Sequence, residues 1–449
     1  MATTYLYRDA TGDVGVQKAT ISTWVKRSNV TTKQYIYFCG YTANYGSYNF
    51  HIRFEADGTL SIISDDGSNI LNYNTNRYFR DTSGYYHIVV KLDLTETGTD
   101  RCKLYVNGEL ITDYATQTAM TGDQWITGKS GYRVFIGYSP NETSNVWNGL
   151  MSQFYYTDGY AYDADTFGSI DATSGEWNMN TAPSDTMGTL GFLVMDNGNT
   201  ITEQSSNSND FTLGAGTLTA TEDCPSDVFA TINPLASLPN TGVSTFSHGS
   251  TTCQGVNASY VNGGSSLQMT KGKFYCEVKY VATSDASRAI IGITQDVSEI
   301  SRINQDSGSY NTFYVSSSGN KNIEGSDSSY GDSYTTGDII SIAFDLDNMK
   351  LYFAKNGAWQ DSGDPESGAT GTGAVSGMTA VASSFSGGYF FHSGSDSNSQ
   401  NNTMSWNFGN GYFGTTIISS EGTNASGIGK FEYDVPAGFT ALSTKGLNE

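Results

Sequence analysis

The sequence predicts an all-β protein, built as two β-sandwiches in series and joined by an ordered connector. Three observations predict it. Residues 90–111 (VKLDLTETGTDRCKLYVNGELI) and residues 342–359 (IAFDLDNMKLYFAKNGAW) repeat one phrase: an alternating apolar run, an acidic turn, Lys-Leu-Tyr, then Asn-Gly. Alternation with period two marks half-buried strands, and Asn-Gly marks a type I′ hairpin, whose two central residues both need positive φ. The composition agrees. Thirty Tyr and 51 Gly, with only 15% charged residues, describe many short strands, tight turns and aromatic packing. Helix signal is nearly absent along the chain, so pattern, propensity and turn chemistry point the same way.

In the first sandwich, expected over residues 1–165, Ala19–Val25 alternates and places Trp24 inward. The run at 35–39 follows and ends at Gly40. His51–Phe54 and Leu60–Ile63 flank Asp57-Gly58, a hairpin signal. Tyr85–Leu92 is the next strand, Lys103–Ile111 carries the first Asn-Gly, and 132–137 and 149–156 complete the set. Residues 166–245 differ: the alternation thins, Ser, Thr, Asn and Asp rise, and one apolar run survives at 191–196. A structureless stretch of that length is uncommon in a compact domain. It therefore reads as a connector that contributes a strand or two. Over 246–449 the strands return at 272–278, 288–293, 311–316, 337–345, 350–354, 378–384, 388–391 and 404–409. The second Asn-Gly is Asn356-Gly357.

These segments carry resemblances. Trp24, then YYHIVVKLDL, KLYVNGELI, YRVFIGYS and GLMSQFYYTD resemble, in order and spacing, a laminin-G or concanavalin A-like jelly roll. GKFYCEV, IIGI, GDIISIAFDLDNMKLYFAKNGAW and a late WNFG resemble a SPRY domain. The junction segments DGYAYDADTFGSIDATSGEW, CPSDVFATINPL and KFEYDVPAGFTALSTKGLN resemble virion proteins of tailed phages, notably marine ones, in which a laminin-G-like module precedes a SPRY-like one. That resemblance implies a non-enzymatic virion component assembled in the host cytoplasm. It would be a tail fibre, appendage or adhesin that contacts host-surface glycan or other virion proteins, or a capsid decoration protein. By analogy it implies a homo-oligomer.

Composition narrows the partners. A net charge of −22 disfavours nucleic acid, since phosphates are bound by Lys and Arg. Spread carboxylates also keep a β-rich surface soluble. The first residues show no basic, apolar signal pattern, and no apolar run has the length of a membrane-spanning helix, so membrane insertion is not expected. Five Cys, at 39, 102, 224, 253 and 276, lack the spacing of a disulfide framework or zinc ribbon. Cys39, Cys102 and Cys276 read as small core residues. A Cys224–Cys253 bridge stays open.

Catalytic signals are weak. A glucanase of this fold class needs acid and nucleophile carboxylates on one strand face, and no such Glu/Asp run occurs. Asp345 and Asp347 share a face but lie at a turn, where Asx bonding accounts for them. The four His show no metal spacing. His87, among aromatics in a strand, reads as structural. No catalytic residue is assigned, and no cofactor is expected. Ca²⁺ is the one ion considered, with Asp65, Asp66 and Asp93 as ligands by type, because laminin-G-like folds hold Ca²⁺ at a rim. Binding is expected at aromatic-amide loops. Tyr41, Asn44, Tyr45 and Tyr48 lie in one such loop, and Tyr310, Tyr330 and Tyr334 in loops of the second sandwich. Tyr rings stack on flat sugar faces and lose little rotamer entropy, while amides reach hydroxyls. The same chemistry suits a protein interface. Three hypotheses follow: host-glycan adhesin, decoration protein and, least supported, glycan depolymerase.

Overall fold

The computed structural model describes residues 4–12, 16–65, 67, 70–122, 129–197, 201–235, 243–256, 262–282, 289–295, 311–384, 386–395 and 402–448. The chain divides into two compact units, Met1–Ala220 and Thr221–Glu449. Both are β-sandwiches, and the helical pieces among the described residues are short 3-10 segments of three to six residues.

In the first unit an eight-stranded antiparallel sheet runs in the order Tyr114–Thr118, Ile70–Thr75, Leu60–Asp65, Asn49–Phe54, Gln34–Tyr41, Tyr132–Ile136, Tyr5–Asp9, Thr212–Ala215. Facing it is a six-stranded sheet: Phe192–Val194, Gly149–Asp158, Lys18–Arg27, Tyr86–Asp93, Cys102–Val106, Glu109–Leu110. Between them lie Ile21, Val25, Ile36, Phe50, Ile52, Leu60, Val90, Leu104 and Phe154, all close to fully buried. The second unit repeats the plan. One sheet holds Thr252–Val256, Asn402–Asn407, Lys273–Ala282, Ile339–Asp345 and Lys350–Lys355. The other holds Phe390–Ser395, Ala289–Thr294 and Asn311–Val315. Its core is built on Cys276, Val278, Ile291, Ile342, Phe353 and Trp406.

The boundary falls at Ala220, inside the stretch expected as a connector over 166–245. Its first part belongs to the first sandwich: Phe192–Val194 pairs with Gly149–Asp158, and Thr212–Ala215 pairs with Tyr5–Asp9. Its last part belongs to the second, where the Val243–Ser247 strand pairs with Thr252–Val256. Edge strands of low alternation recruit such polar segments because pairing satisfies their backbone even where little side-chain burial is gained.

The repeated phrase folds the same way in both units. Asn107 and Gly108 have φ of 50° and 77°, and Asn356 and Gly357 have 49° and 81°, the signature of type I′ turns. Asn107 Oδ1 accepts from the His87 amide at 2.7 Å, and Asn356 Oδ1 from the Ile339 amide at 2.9 Å. At the far end of each hairpin, a strand-opening lysine lies opposite the acidic residue. Lys18 meets Asp93 at 2.8 Å, and Lys273 meets Asp345 at 3.0 Å.

Each hairpin sheet is also covered on its outer face by a strap that lies outside that sheet; in the first unit the strap includes the two-stranded pair Gly168–Ile170 and Trp177–Met179. In the first unit Tyr162, Phe167, Trp177 and Met187 lie over Val89, Tyr105 and Tyr155. In the second, Phe431, Val435 and Phe439 lie over Tyr275, Ala343 and Tyr352. The strap corrects one expectation. Trp24 points away from the sandwich core, onto this outer face, and is still only 4% exposed because its ring stacks on His87 at 4.5 Å. Ile21 and Val25 take the inward positions.

In both units the turn glycine sits under a strap aromatic. A Cβ at Gly108 would strike the Trp177 ring, and one at Gly357 would strike the Tyr433 ring. Gly108→Ala is therefore expected to cost about 2 to 3 kcal/mol, combining left-handed strain with displacement of the ring. Gly98→Ala, at φ 58° with open space around it, should cost only the backbone part, about 1 to 2 kcal/mol. Equal losses for the two in urea denaturation would show that Trp177 does not bear on Gly108.

Candidate binding face and buried anchors

The loop over 42–48 joins two strands of the eight-stranded sheet and is held by its own backbone bonds. The Tyr41 amide donates to the Tyr48 carbonyl at 2.9 Å, and the Asn44 amide to the Tyr41 carbonyl at 2.9 Å. Asn49 Nδ2 and Asn141 Nδ2 both donate to the Tyr45 carbonyl, at 3.0 and 2.8 Å. A loop fixed in this way loses little entropy when a ligand lands on it.

Its three tyrosines do not point together. Tyr41 and Tyr48 are 39% and 38% exposed and meet edge to face at 6.2 Å, with Tyr132 packed on Tyr41 at 5.5 Å. Asn44 is exposed beside them. Tyr45 turns onto the sheet's outer face, half-buried against Phe38 and Phe135 at 6.0 and 5.9 Å. There it joins residues that sequence reasoning missed. Tyr5 and Tyr138 stack at 4.2 Å with a 12° interplanar angle, and Arg133 lies 4.7 Å over the Tyr7 ring. Asp9 holds Arg133 through two bonds, at 2.7 and 3.1 Å. Tyr5, Tyr7, Tyr45 and Tyr138 all remain partly exposed. The period-two Tyr5/Tyr7 pair in YLYRD was the available signal.

The tyrosines expected in the second unit are placed differently. Tyr330 and Tyr334 are core residues, 7% and 3% exposed, which corrects their reading as surface loop contacts. The Tyr330 hydroxyl accepts from the Phe353 amide at 3.3 Å, and that of Tyr334 donates toward the carbonyls of Ala289 and Tyr314, both at 3.1 Å. Their rings fill volume and their hydroxyls satisfy backbone groups. Tyr310 lies outside the described residues.

The three Asp considered for Ca²⁺ are not brought together. Asp65 ends a strand of the eight-stranded sheet and accepts from the Gly67 amide at 2.7 Å, a turn bond. Asp93 belongs to the other sheet. Burial pushes its carboxyl up, but bonds from Lys18 and Thr95 outweigh this and leave it below the usual carboxylate range. Asp66 lies outside the described residues. Among the described residues no group of three or more His, Cys, Asp or Glu is placed to hold a metal ion. Cys224 and Cys253 are both free thiols, Cys253 buried and Cys224 partly so. Asp345 and Asp347 serve turn geometry: Asp345 accepts from the Asn348 amide at 3.0 Å, and Asp347 from the Gly272 amide at 2.9 Å.

Two buried ionisable groups fasten the straps. The Trp177 indole N–H donates to His87 Nδ1 at 2.9 Å, so Nδ1 is the acceptor and Nε2–H donates to Ser22 Oγ at 2.8 Å. His87 is thereby held neutral between two indole rings, and burial lowers its pKa to about 3. In the second unit Glu277, fully buried, accepts from four donors. The Tyr275 hydroxyl and Tyr433 amide reach Oε1 at 3.0 and 2.8 Å, and the Glu432 amide and Asn407 Nδ2 reach Oε2 at 2.9 and 3.3 Å. Burial raises its pKa to about 7, against those bonds.

With this geometry in place, comparison with known proteins places the first unit. Residues 2–159 match the family described as the concanavalin A-like lectin/glucanases superfamily. The chain is also similar to three solved structures. The SPRY domain of human HERC1 is 15% identical over 39% of this chain and 96% of its own, with a TM-score of 0.31. A heptameric SAP-like pentraxin from Limulus polyphemus is 15% identical over 44% of this chain and 90% of its own, at 0.30. The CBM40 module of Ruminococcus gnavus IT-sialidase, bound to α2,3-sialyllactose, is 17% identical over 30% and 79%, at 0.23. No curated protein sequence matches the chain. Among the described residues no helix is long and apolar enough to cross a membrane.

Proposed function

We propose that the chain is a non-enzymatic surface protein of a tailed-phage virion, and that its first sandwich binds host-surface glycan. The observation that carries the binding reading is the ordered loop presenting Tyr41, Asn44 and Tyr48 to solvent next to the Tyr5, Tyr7 and Tyr138 face. Exposed rings offer stacking platforms for pyranose faces, and nearby amides offer hydroxyl partners. The lectin/glucanase family match over the same residues supports a carbohydrate ligand. The virion setting rests on the resemblance of the junction segments. Weak single contacts would be multiplied by the copies carried on one particle.

A glycan array probed with the purified chain tests this reading. Binding to a defined glycan class is expected, and the Tyr41→Ala, Tyr48→Ala double variant should weaken it at least about tenfold, as loss of two stacking contacts implies. A blank array, with the protein located by immunogold labelling in register with the capsid lattice, would favour contacts to neighbouring virion proteins instead. Absence from the particle would remove the virion reading.

A further inference from the structure

The two straps differ in what lies beneath them. In the first unit the space under Trp177 is filled by the stacked rings of His87 and Trp24. In the second, the space under Tyr433 is a cavity of about 200 Å³, lined by Tyr275, Ser341, Ala354, Gly357, Trp359, Tyr433 and Asp434. Three walls are aromatic. Gly357 contributes only backbone, because the Tyr433 ring occupies the place of a Cβ.

The surroundings are negative. Asp434 is at the mouth, its carboxyl held below the usual range by the Thr423 amide and hydroxyl at 2.6 and 2.8 Å. Glu277 is one bond behind the Tyr275 hydroxyl and, with its pKa raised to about 7, adds part of a negative charge near neutral pH. Burial, and then the charges of Glu432, Glu277 and Asp338, push the Tyr433 phenol up.

The carboxylates nevertheless have few acceptor positions to offer. Both oxygens of Glu277 are occupied by its four donors, and Asp434 Oδ1 by Thr423. An ammonium or guanidinium group entering here would find few acceptors, Asp434 Oδ2 at the mouth and Ser341 Oγ among them, and would recover only part of its hydration. A quaternary ammonium group has no N–H to satisfy and is attracted by ring faces and by charge alone. Ser341 Oγ is buried, lies beside the Tyr275 hydroxyl, with which it interacts, and lines the cavity.

We propose that the cavity between Tyr275, Trp359 and Tyr433 is a binding site for a small free quaternary-ammonium cation, with Ser341 meeting one polar group of the ligand. The site is in the second unit and stands independently of the glycan reading.

Choline is the probe, titrated into the full chain by calorimetry and by tryptophan fluorescence. Its uncharged isostere, with a tert-butyl group in place of trimethylammonium, is titrated in parallel, so the test does not depend on a variant folding. Saturable choline binding is expected, with the isostere at least about tenfold weaker. Trp359→Leu should abolish the fluorescence response and weaken binding by a similar factor, with circular dichroism unchanged. Equal binding of choline and the isostere would overturn the proposal, since an apolar void would account for both. So would the absence of any choline response at millimolar concentration, or choline binding unaffected by Trp359→Leu.

Discussion

Glu277→Ala is expected to destabilise the Thr221–Glu449 unit by about 4 kcal/mol, the largest single-residue loss we anticipate. The residue is fully buried, and its removal strands the amides of Glu432 and Tyr433, the Tyr275 hydroxyl and Asn407 Nδ2. An orphaned buried donor costs about 1 to 3 kcal/mol, and water entering the new space recovers part of the total. Glu277→Gln keeps the shape and one acceptor but aims an N–H₂ at bound donors, so about half the loss is expected. Urea denaturation measures the loss, and hydrogen exchange over residues 419–435 reports whether the strap has come free. A Glu277→Ala protein with wild-type stability and a protected strap would refute the anchoring role. The strap carries Tyr433 and Asp434, so the same variant should also disturb the cavity.

Acid should act unequally on the two units. His87 has a pKa of about 3 in the folded state against an ordinary 6.5. Above pH 6.5 it is neutral in both states and contributes no pH dependence. Below 6.5 the unfolded chain takes up a proton that the folded site refuses, so stability falls as pH falls, by about 1.4 kcal/mol per pH unit until about pH 3. His51 is also buried and held well below its ordinary value, so it adds a slope of the same sign. Asp158 and Asp185, raised by burial, oppose this from the acid end.

In the second unit two groups offset each other. His392 is fully buried with a pKa of about 3 and gives the histidine slope. Glu277, raised from 4.5 to about 7, does the reverse: the folded site takes up its proton before the unfolded chain does, so stability rises as pH falls from 7 to 4.5. Between pH 4.5 and 6.5 these two slopes are equal and opposite. The exposed His248 adds only a weak slope of the histidine sign. Peptide-resolved hydrogen exchange of the whole chain at pH 6.5 and pH 5 should show the first unit losing more stability than the second. Equal losses would mean that Glu277 does not hold its proton as described.

Much of this architecture was legible from residues alone. Alternation located the strands, and Asn-Gly and Asp-Gly located the hairpins, because positive φ at paired positions restricts the residues that fit. Asp345, Asp347 and His87 read as structural from their context, and hydrogen bonds account for each. The 41–48 loop was recognisable as a tyrosine-amide surface, and Tyr41 and Tyr48 are exposed there. Tyr330 and Tyr334 were misplaced because Ser- and Gly-rich flanks look alike whether a ring between them points out or folds back into the core.

What the sequence determined by itself was the list of strands and turns, since those depend on local dihedral preference and on a period of two. Tertiary structure alone decided which face of a strand meets the sandwich core. Alternation reveals two faces but labels neither, and in both units the outer face of the hairpin sheet is buried as well. Trp24 and Glu277 sit on that second buried face, under straps whose anchoring contacts span Trp24, His87 and Trp177 in one case and Glu277, Glu432 and Tyr433 in the other. Such pairings are set by packing between segments far apart in the chain, which no local pattern encodes.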